Sequence, residues 1–192
     1  MRWRAAFACA VLALAAAGPA AADDEALWTL LRAGGQVIML RHAGTDGTPG
    51  DPPGARLEDC ATQRNLTAKG REQARKIGEA VSAREIPIGR VLSSPWCRCM
   101  ETAKLAFGRA EPLFTLLGGP RDPASIERRV LALRPLLGAA PVGGNLVLVT
   151  HAFTILDVTG ERTAEGEMAI FTPQGDTRFT LAGHLMAGGL PR

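Results

Sequence analysis

Two short apolar runs, each ending at a histidine, constrain the fold of this 192-residue chain most strongly. The first, residues 37–40, is followed by Arg41 and His42, and the second, residues 146–149, is followed one threonine later by His151. Continuous apolar runs of this length are typical of strands buried on both faces of a parallel sheet. Open α/β sheets place their ligand sites at the carboxyl ends of such strands. We therefore expect both histidines at one edge of one sheet.

The first 22 residues have the pattern of a secretory signal peptide. Arg2 and Arg4 precede an apolar stretch at 5–17, and a Gly-Pro break is followed by small residues that suit a cleavage site. The stretch is too short for a membrane span, although a retained anchor helix is the alternative. We expect residues 23–192 to form one domain with no membrane span, located in the periplasm or secreted.

The net charge and the cysteines argue against a nucleic-acid-binding protein or a zinc protein. The formal net charge is +3, and no basic tract of the nucleic-acid-binding kind occurs. An exported chain with Cys60, Cys97 and Cys99 should form one disulfide, which joins Cys60 to either of the other two because a Cys97–Cys99 bridge would be strained. A zinc site is less favoured, since no second cysteine pair with ligand spacing lies nearby.

Helix and strand patterns alternate through the rest of the chain. Helices are predicted at 25–32, 67–84, 94–107, 122–137 and 153–158, and strands at 36–40, 88–93, a run ending at His151, and a hairpin of 168–172 with 177–181. In the helix at 94–107, Ser94 is the predicted N-cap and Pro95 the first helical residue. Residues 113–117 form either a short strand or an irregular segment. The repeated βα units predict an α/β protein, a three-layer α/β/α sandwich with a mostly parallel central sheet. The long polar loop at 43–64 is expected to be functional or mobile.

Three strand-to-helix junctions should bring Arg41, His42, Arg98 and His151 together. Arg98 lies in the first turn of its predicted helix, where free N–H groups and the positive end of the helix dipole also favour an anion. Phosphate needs several convergent donors, and guanidinium groups match it best. The pattern therefore predicts a site that holds a phosphoryl group.

Four segments of this sequence resemble the histidine phosphatase superfamily, in its phosphoglycerate mutase-like branch. They lie in family order across almost all of residues 23–192 and comprise Leu40–Ala43, Asn65–Thr67 with Gly70, Gln73 and Ala74, Ser93–Arg98 with Glu101, Thr102 and Ala103, and Thr150–His151. Small exported members, similar to the lipopolysaccharide core heptose phosphate phosphatases, look most alike. The resemblance implies a phosphoglycerate mutase-like fold.

The resemblance also implies a phosphomonoester hydrolase in which His42 is the nucleophile and becomes phosphorylated. Arg41, Arg98 and His151 would bind the phosphoryl oxygens and the charge they gain. The flanking arginines would disfavour protonation of His42 and keep its lone pair available. No metal or other cofactor is expected. The partner would be a small phosphorylated substrate, such as a phosphosugar or a lipopolysaccharide core fragment, and not a nucleic acid.

The acid that protonates the leaving group is harder to assign, because the positions where family members carry it hold no carboxylate here. Glu167, at the start of the hairpin, is our first candidate, with Asp46 and Asp51 in the long loop as alternatives. Arg64 is expected in the outer substrate pocket. Ala43 replaces the glycine that commonly follows the nucleophile, and we expect its methyl group to narrow the substrate pocket.

Other functions fit the sequence less well. A phosphomutase of the same family would need a closed pocket and additional basic residues, and this short chain has no obvious insertions to supply them. A catalytically inactive phosphate-binding or envelope-interaction protein is favoured only by the missing acid. P-loop, G-x-S-x-G and cysteine-dependent phosphatase motifs are absent from the sequence.

Overall fold

The computed structural model describes residues 24–187, which form a six-stranded sheet between two layers of helices. The elements are α1 (Asp24–Ala33), β1 (Val37–Arg41), α2 (Ala68–Ala83), β2 (Ile88–Ser93), α3 (Cys97–Phe107), β3 (Glu111–Pro112), α4 (Pro123–Gly138), β4 (Asn145–Thr150), α5 (Ala152–Thr159), β5 (Glu167–Pro173) and β6 (Phe179–Met186). The predicted signal peptide lies outside the described residues. Within 24–187, no helix combines the length and apolar character that crossing a membrane requires.

The sheet has the order β3-β2-β4-β1-β5-β6, and its first four strands are parallel. β5 runs antiparallel to both of its neighbours, so the sheet is mixed but mostly parallel. β1 and β4 pair in register, with Arg41 opposite Thr150, and the His42 N–H donates to the Thr150 carbonyl at 3.0 Å. The predicted fold class is confirmed, and the two histidines follow adjacent parallel strands.

Alternate residues of β1 face the two apolar clusters that form the core. Ile38 and Leu40 pack with the buried faces of α1, α2 and α3. Val37 and Met39 pack on the other side of the sheet, in the cluster that includes buried leucines of α4. All four side chains are fully buried. Burial on both faces explains why the strand is apolar at every position until Arg41.

Local structure at the start of α3 differs from the sequence-based prediction. α3 begins at Cys97 with Trp96 as its N-cap residue, so Ser94 and Pro95 do not form the cap and first turn predicted for them. Of the two alternatives for residues 113–117, the structure has the irregular segment, with a 3₁₀ turn at Phe114–Leu116, and a two-residue strand, β3, precedes it. The displaced start of α3 leaves the Ser94 hydroxyl available for a partner outside the helix.

The first turn of α2 packs directly on the chain that leaves β1. A Cβ atom added to Gly70 would lie 1.9 Å from the carbonyl oxygen of Gly44, so only glycine permits this approach. Thr67 caps the helix by accepting from the Gly70 N–H, and its own N–H donates to the Gly44 carbonyl at 3.1 Å. These contacts fix the backbone just after His42.

Candidate active site

His42 and His151 meet at the carboxyl edge of the sheet. Their ring centroids lie 5.6 Å apart with an interplanar angle of 66°. Nδ1 of His42 lies 2.9 Å from the carbonyl oxygen of Ala43. Because a carbonyl only accepts, this bond places the proton on Nδ1 and the lone pair of the neutral ring on Nε2. The fold thus presents His42 in the tautomer that a nucleophile requires.

The ring of His151 is oriented by two neighbours. Its Nδ1 lies 3.4 Å from Nη2 of Arg98, and its Nε2 lies 2.9 Å from the hydroxyl of Ser94. A guanidinium only donates, so Nδ1 accepts and Nε2 donates to Ser94. Sequence reasoning missed Ser94, because it assigned that residue to a helix cap. The adjacent Thr102 was part of a matching segment, and its hydroxyl oxygen accepts from the Ala43 N–H at 3.0 Å.

Arg41, Arg64 and Arg98 surround the histidine pair. Arg41 Nη1 donates to the Thr163 carbonyl at 2.7 Å, and Arg64 Nη1 donates to the Thr45 hydroxyl. The Nε atoms of all three arginines are buried without a hydrogen-bond partner among the described residues. Buried donors in native proteins are almost always satisfied, so three orphaned guanidinium donors around one point indicate a site for an anion.

Burial and positive charge keep both imidazoles neutral. The pKa of His42 is lowered from its ordinary value of 6.5 to about 3, first by desolvation and also by the charges of Arg98, Arg41 and Arg64, while the Ala43 bond opposes the shift. The pKa of His151 is also well below its usual value, first through burial and then through Arg98. At neutral pH, His42 therefore keeps the Nε2 lone pair.

The carboxylate beside His42 is Glu165, not Glu167. One Glu165 oxygen lies 4.0 Å from His42 Nδ1, 3.6 Å from Nη2 of Arg41 and 2.8 Å from the Thr45 hydroxyl. The N–H of the next residue lies 3.2 Å from the carbonyls of both Arg41 and His42, which draws this turn against β1. No local sequence pattern predicts that placement, since it depends on the pairing of β5 with β1.

Glu167, our first candidate for the proton donor, turns away from the histidine pair. Its carboxylate accepts from the Ala164 N–H at 2.6 Å and lies 3.5 Å from Nδ1 of His184. The structure therefore corrects the predicted catalytic position of Glu167. Asp46 is fully exposed and bonds the Thr48 N–H, whereas Asp51 reaches the site through Arg98.

Ala43 also requires correction as a substrate-binding residue. Its side chain is fully buried and packs with Leu66 and Ala74 beneath the site. The methyl group therefore does not narrow the substrate pocket, and its backbone serves instead to anchor His42. Arg64, predicted in the outer pocket, lies close enough to His42 to contribute to the lowered pKa of that ring.

A disulfide joins Cys60 to Cys97, which decides between the two pairings that the sequence left open. It ties the long loop to the first residue of α3, next to Arg98. Cys99 is free and buried, and burial raises the pKa of its thiol to about 12. Among the described residues, no group of three or more His, Cys, Asp or Glu side chains is placed to hold a metal ion.

A groove of about 710 Å³ adjoins the histidine pair. It shares Thr45 and Glu165 with the edge of the site, and its other wall is a face of α2 that carries Lys69, Glu72 and Lys76. Both signs of charge and several polar groups line it. Neither histidine and none of the three arginines lines this groove, which therefore meets the site only at Thr45 and Glu165.

The sequence itself matches a family model. Residues 37–116 match the model of the Histidine phosphatase superfamily (branch 1). The matched segment contains Arg41, His42, Arg64 and Arg98 and ends before His151. The predicted resemblance to the histidine phosphatase superfamily is thereby confirmed. No protein among the curated proteins matches the chain.

Solved structures show the same fold. The protein of open reading frame Rv3214 from Mycobacterium tuberculosis is 19% identical, with a TM-score of 0.58 over 80% of this chain and 98% of that one. The protein histidine phosphatase SixA complexed with tungstate is 20% identical, with a TM-score of 0.53 over 80% and 97%. Phosphoserine phosphatase from Entamoeba histolytica, in complex with 3-phosphoglyceric acid, is 16% identical, with a TM-score of 0.56 over 76% and 94%. At these identities the likeness concerns the fold alone.

Proposed function

We propose that this chain is an exported, metal-independent phosphomonoester hydrolase that works through a phosphohistidine intermediate on His42. The observation that carries the proposal is the meeting of the His42 and His151 rings, 5.6 Å apart, within three arginines whose buried Nε donors have no partner among the described residues. A neutral imidazole that can act as nucleophile therefore lies beside guanidinium groups that can bind the phosphoryl group and stabilise its negative charge in the transition state.

The reaction takes place in two displacements at phosphorus. In the first, the Nε2 lone pair of His42 forms the P–N bond while the P–O bond to the leaving group breaks, and the leaving oxygen takes up a proton from solvent water. In the second, water attacks phosphorus and releases a proton to solvent, the P–N bond breaks, and inorganic phosphate departs. Arg41, Arg64 and Arg98 hold the phosphoryl oxygens through both steps, and His151 joins them when its Nε2–H donates to a phosphoryl oxygen in place of the Ser94 hydroxyl.

Glu165 serves this chemistry by compensating charge. Its carboxylate lies on the Nδ1 side of His42, 4.0 Å from that nitrogen. The leaving oxygen departs in line with Nε2, on the other side of the ring. When Nε2 becomes phosphorylated, the ring gains positive charge that Glu165 and the Ala43 carbonyl stabilise. Because Glu165 is not aligned with the leaving group, we expect rates to rise steeply as the leaving group becomes a better anion.

The test is hydrolysis of para-nitrophenyl phosphate by purified protein in the presence of a chelator. We expect His42→Ala to lower kcat/KM by at least about a thousandfold, as removal of a catalytic nucleophile does. His184→Gln, a histidine change away from the site, is the matched control. Rapid quenching should trap an acid-labile phosphoenzyme in the parent protein only. Turnover by His42→Ala in chelator would reject the mechanism, and phosphate binding without turnover would support an inactive binding protein instead.

Export rests on the pattern of residues 1–22 and is supported by the Cys60–Cys97 disulfide, since disulfides persist in oxidising compartments. We expect the protein recovered from a periplasmic or secreted fraction to begin at Asp23. An unprocessed N-terminus in a cytosolic fraction would contradict export. A screen of phosphosugars and lipopolysaccharide core fragments, beside acyl phosphates, tests the substrate class.

A further inference from the structure

We propose that Asp51 is a positioning residue that fixes Arg98 for phosphate binding. Its Oδ1 accepts a hydrogen bond from Nη1 of Arg98 at 2.8 Å. Both side chains are almost removed from solvent, with 6% of Arg98 and 15% of Asp51 exposed. The proposal rests on the proposed function, because it assigns to Arg98 the task of holding the phosphoryl group.

The bond leaves one edge of the guanidinium for the phosphate. Nη1 is used by Asp51 and lies 3.5 Å from the Arg64 carbonyl. Nη2 lies 3.4 Å from Nδ1 of His151, and the buried Nε has no partner among the described residues. Nη2 therefore faces His151, and the bond to Asp51 restricts rotation of the planar guanidinium away from the histidine pair.

The support for Asp51 is itself anchored to the helix that carries Arg98. Oδ1 of Asp51 also accepts from the Arg64 N–H at 3.0 Å, which holds the loop backbone. Close by, the side-chain oxygen of Gln63 accepts from the Cys97 N–H at 2.8 Å, and Cys97 forms the disulfide with Cys60. Carboxylate and guanidinium therefore belong to one cross-linked frame.

Two other roles for Asp51 make opposite predictions. A proton donor would matter most for substrates with poor leaving groups and would act independently of Arg98. A carboxylate that competes with phosphate for the guanidinium would weaken anion binding, so its removal would strengthen that binding. Simple electrostatics predicts the same strengthening, because a negative charge near the anion is lost. A positioning residue alone predicts weaker phosphate binding after neutralisation.

The experiment compares Asp51→Asn with Glu58→Gln, which neutralises an exposed carboxylate of the same loop. Inorganic phosphate binding is measured by calorimetry, and kcat/KM is measured with para-nitrophenyl phosphate and with an alkyl phosphate. We expect Asp51→Asn to weaken phosphate binding and to lower kcat/KM by about 10- to 100-fold for both substrates, the scale of one charge-assisted hydrogen bond. Glu58→Gln should change neither. In an Arg98→Ala background, Asp51→Asn should cause no further loss.

Each alternative result overturns the assignment. Unchanged or tighter phosphate binding by Asp51→Asn refutes positioning, as does a loss that is larger for the alkyl phosphate or persists in the Arg98→Ala background. Circular dichroism verifies that each variant is folded, and Asp51→Glu, which keeps the charge, should recover part of the binding if Asp51→Asn does not fold. Calorimetry measures phosphate binding without turnover. A protein that hydrolyses nothing but whose phosphate binding still depends on Asp51 would contradict the proposed hydrolysis and leave the positioning role of Asp51 intact.

Discussion

Replacing His42 with asparagine should change how the stability of the fold depends on pH. His42 is 2% exposed, and its pKa is lowered from 6.5 to about 3, first by burial and then by the surrounding guanidinium groups. In the unfolded chain His42 takes up a proton near pH 6.5, whereas in the folded chain it takes up that proton only near pH 3. Stability is therefore complete above pH 6.5 and is lost as the pH falls through that window.

The size of the effect follows from the same shift. Each pKa unit corresponds to about 1.4 kcal/mol, so His42 accounts for about 5 kcal/mol across the whole window. Between pH 7 and pH 4.5, the loss from His42 alone is about 2.5 kcal/mol. His151 adds a further loss of the same sign, because its pKa is also lowered. Because both buried histidines stay neutral in the folded state, they lower the free energy of unfolding only at acidic pH.

Urea unfolding of the parent protein and His42→Asn at several pH values checks this prediction. Asparagine cannot take up the proton, so the variant should lose about 2.5 kcal/mol less than the parent between pH 7 and pH 4.5, whatever its stability at pH 7. Titrating groups common to both proteins cancel in the difference. Parallel stability curves for the two proteins over this range would refute the depressed pKa of His42.

Three further outcomes are expected. Reduction of the disulfide, or Cys60→Ser, should lower the free energy of unfolding by about 3 to 4 kcal/mol, because the bridge closes a loop with a sequence separation of 37 residues; thermal unfolding with and without reductant measures it. Gly70→Ala should destabilise the fold by more than about 2 kcal/mol in urea unfolding and lower kcat, since the added Cβ meets the Gly44 carbonyl oxygen. Glu165→Gln should lower kcat for para-nitrophenyl phosphate by about tenfold, whereas Glu167→Gln should have the smaller effect; equal losses would contradict the assigned positions.

Much of the fold was predictable because its signals are local. An apolar run that is buried on both faces needs no partner to be recognised, and β1 and β4 were placed from such runs. The predicted start of α3 was wrong by two residues. Ser94 and Pro95 have the propensity for a helix start, but the Ser94 side chain instead contacts His151. That contact spans 57 positions of sequence, which no local pattern encodes.

The candidate site divides in the same way. His42 and His151 could be brought together from the sequence because parallel strands present their carboxyl ends at one edge. The carboxylates could not, because they reach the site from irregular segments whose paths are set by packing. Glu165 rather than Glu167 lies against His42 because the N–H of Gly166, in the turn before β5, donates to the end of β1. The period-2 alternation of side chains along a strand does not predict the conformation of the turn that precedes it.

The amino-acid sequence by itself determined which side chains follow the buried strands and hence that imidazole and guanidinium groups gather at one edge. Only the tertiary structure decided which cysteine pairs with Cys60, which carboxylates face the arginines, and which ring nitrogen of His42 holds the lone pair. The physical reason is range: burial and strand periodicity act within a few residues, whereas hydrogen bonds between distant loops depend on how the whole chain closes.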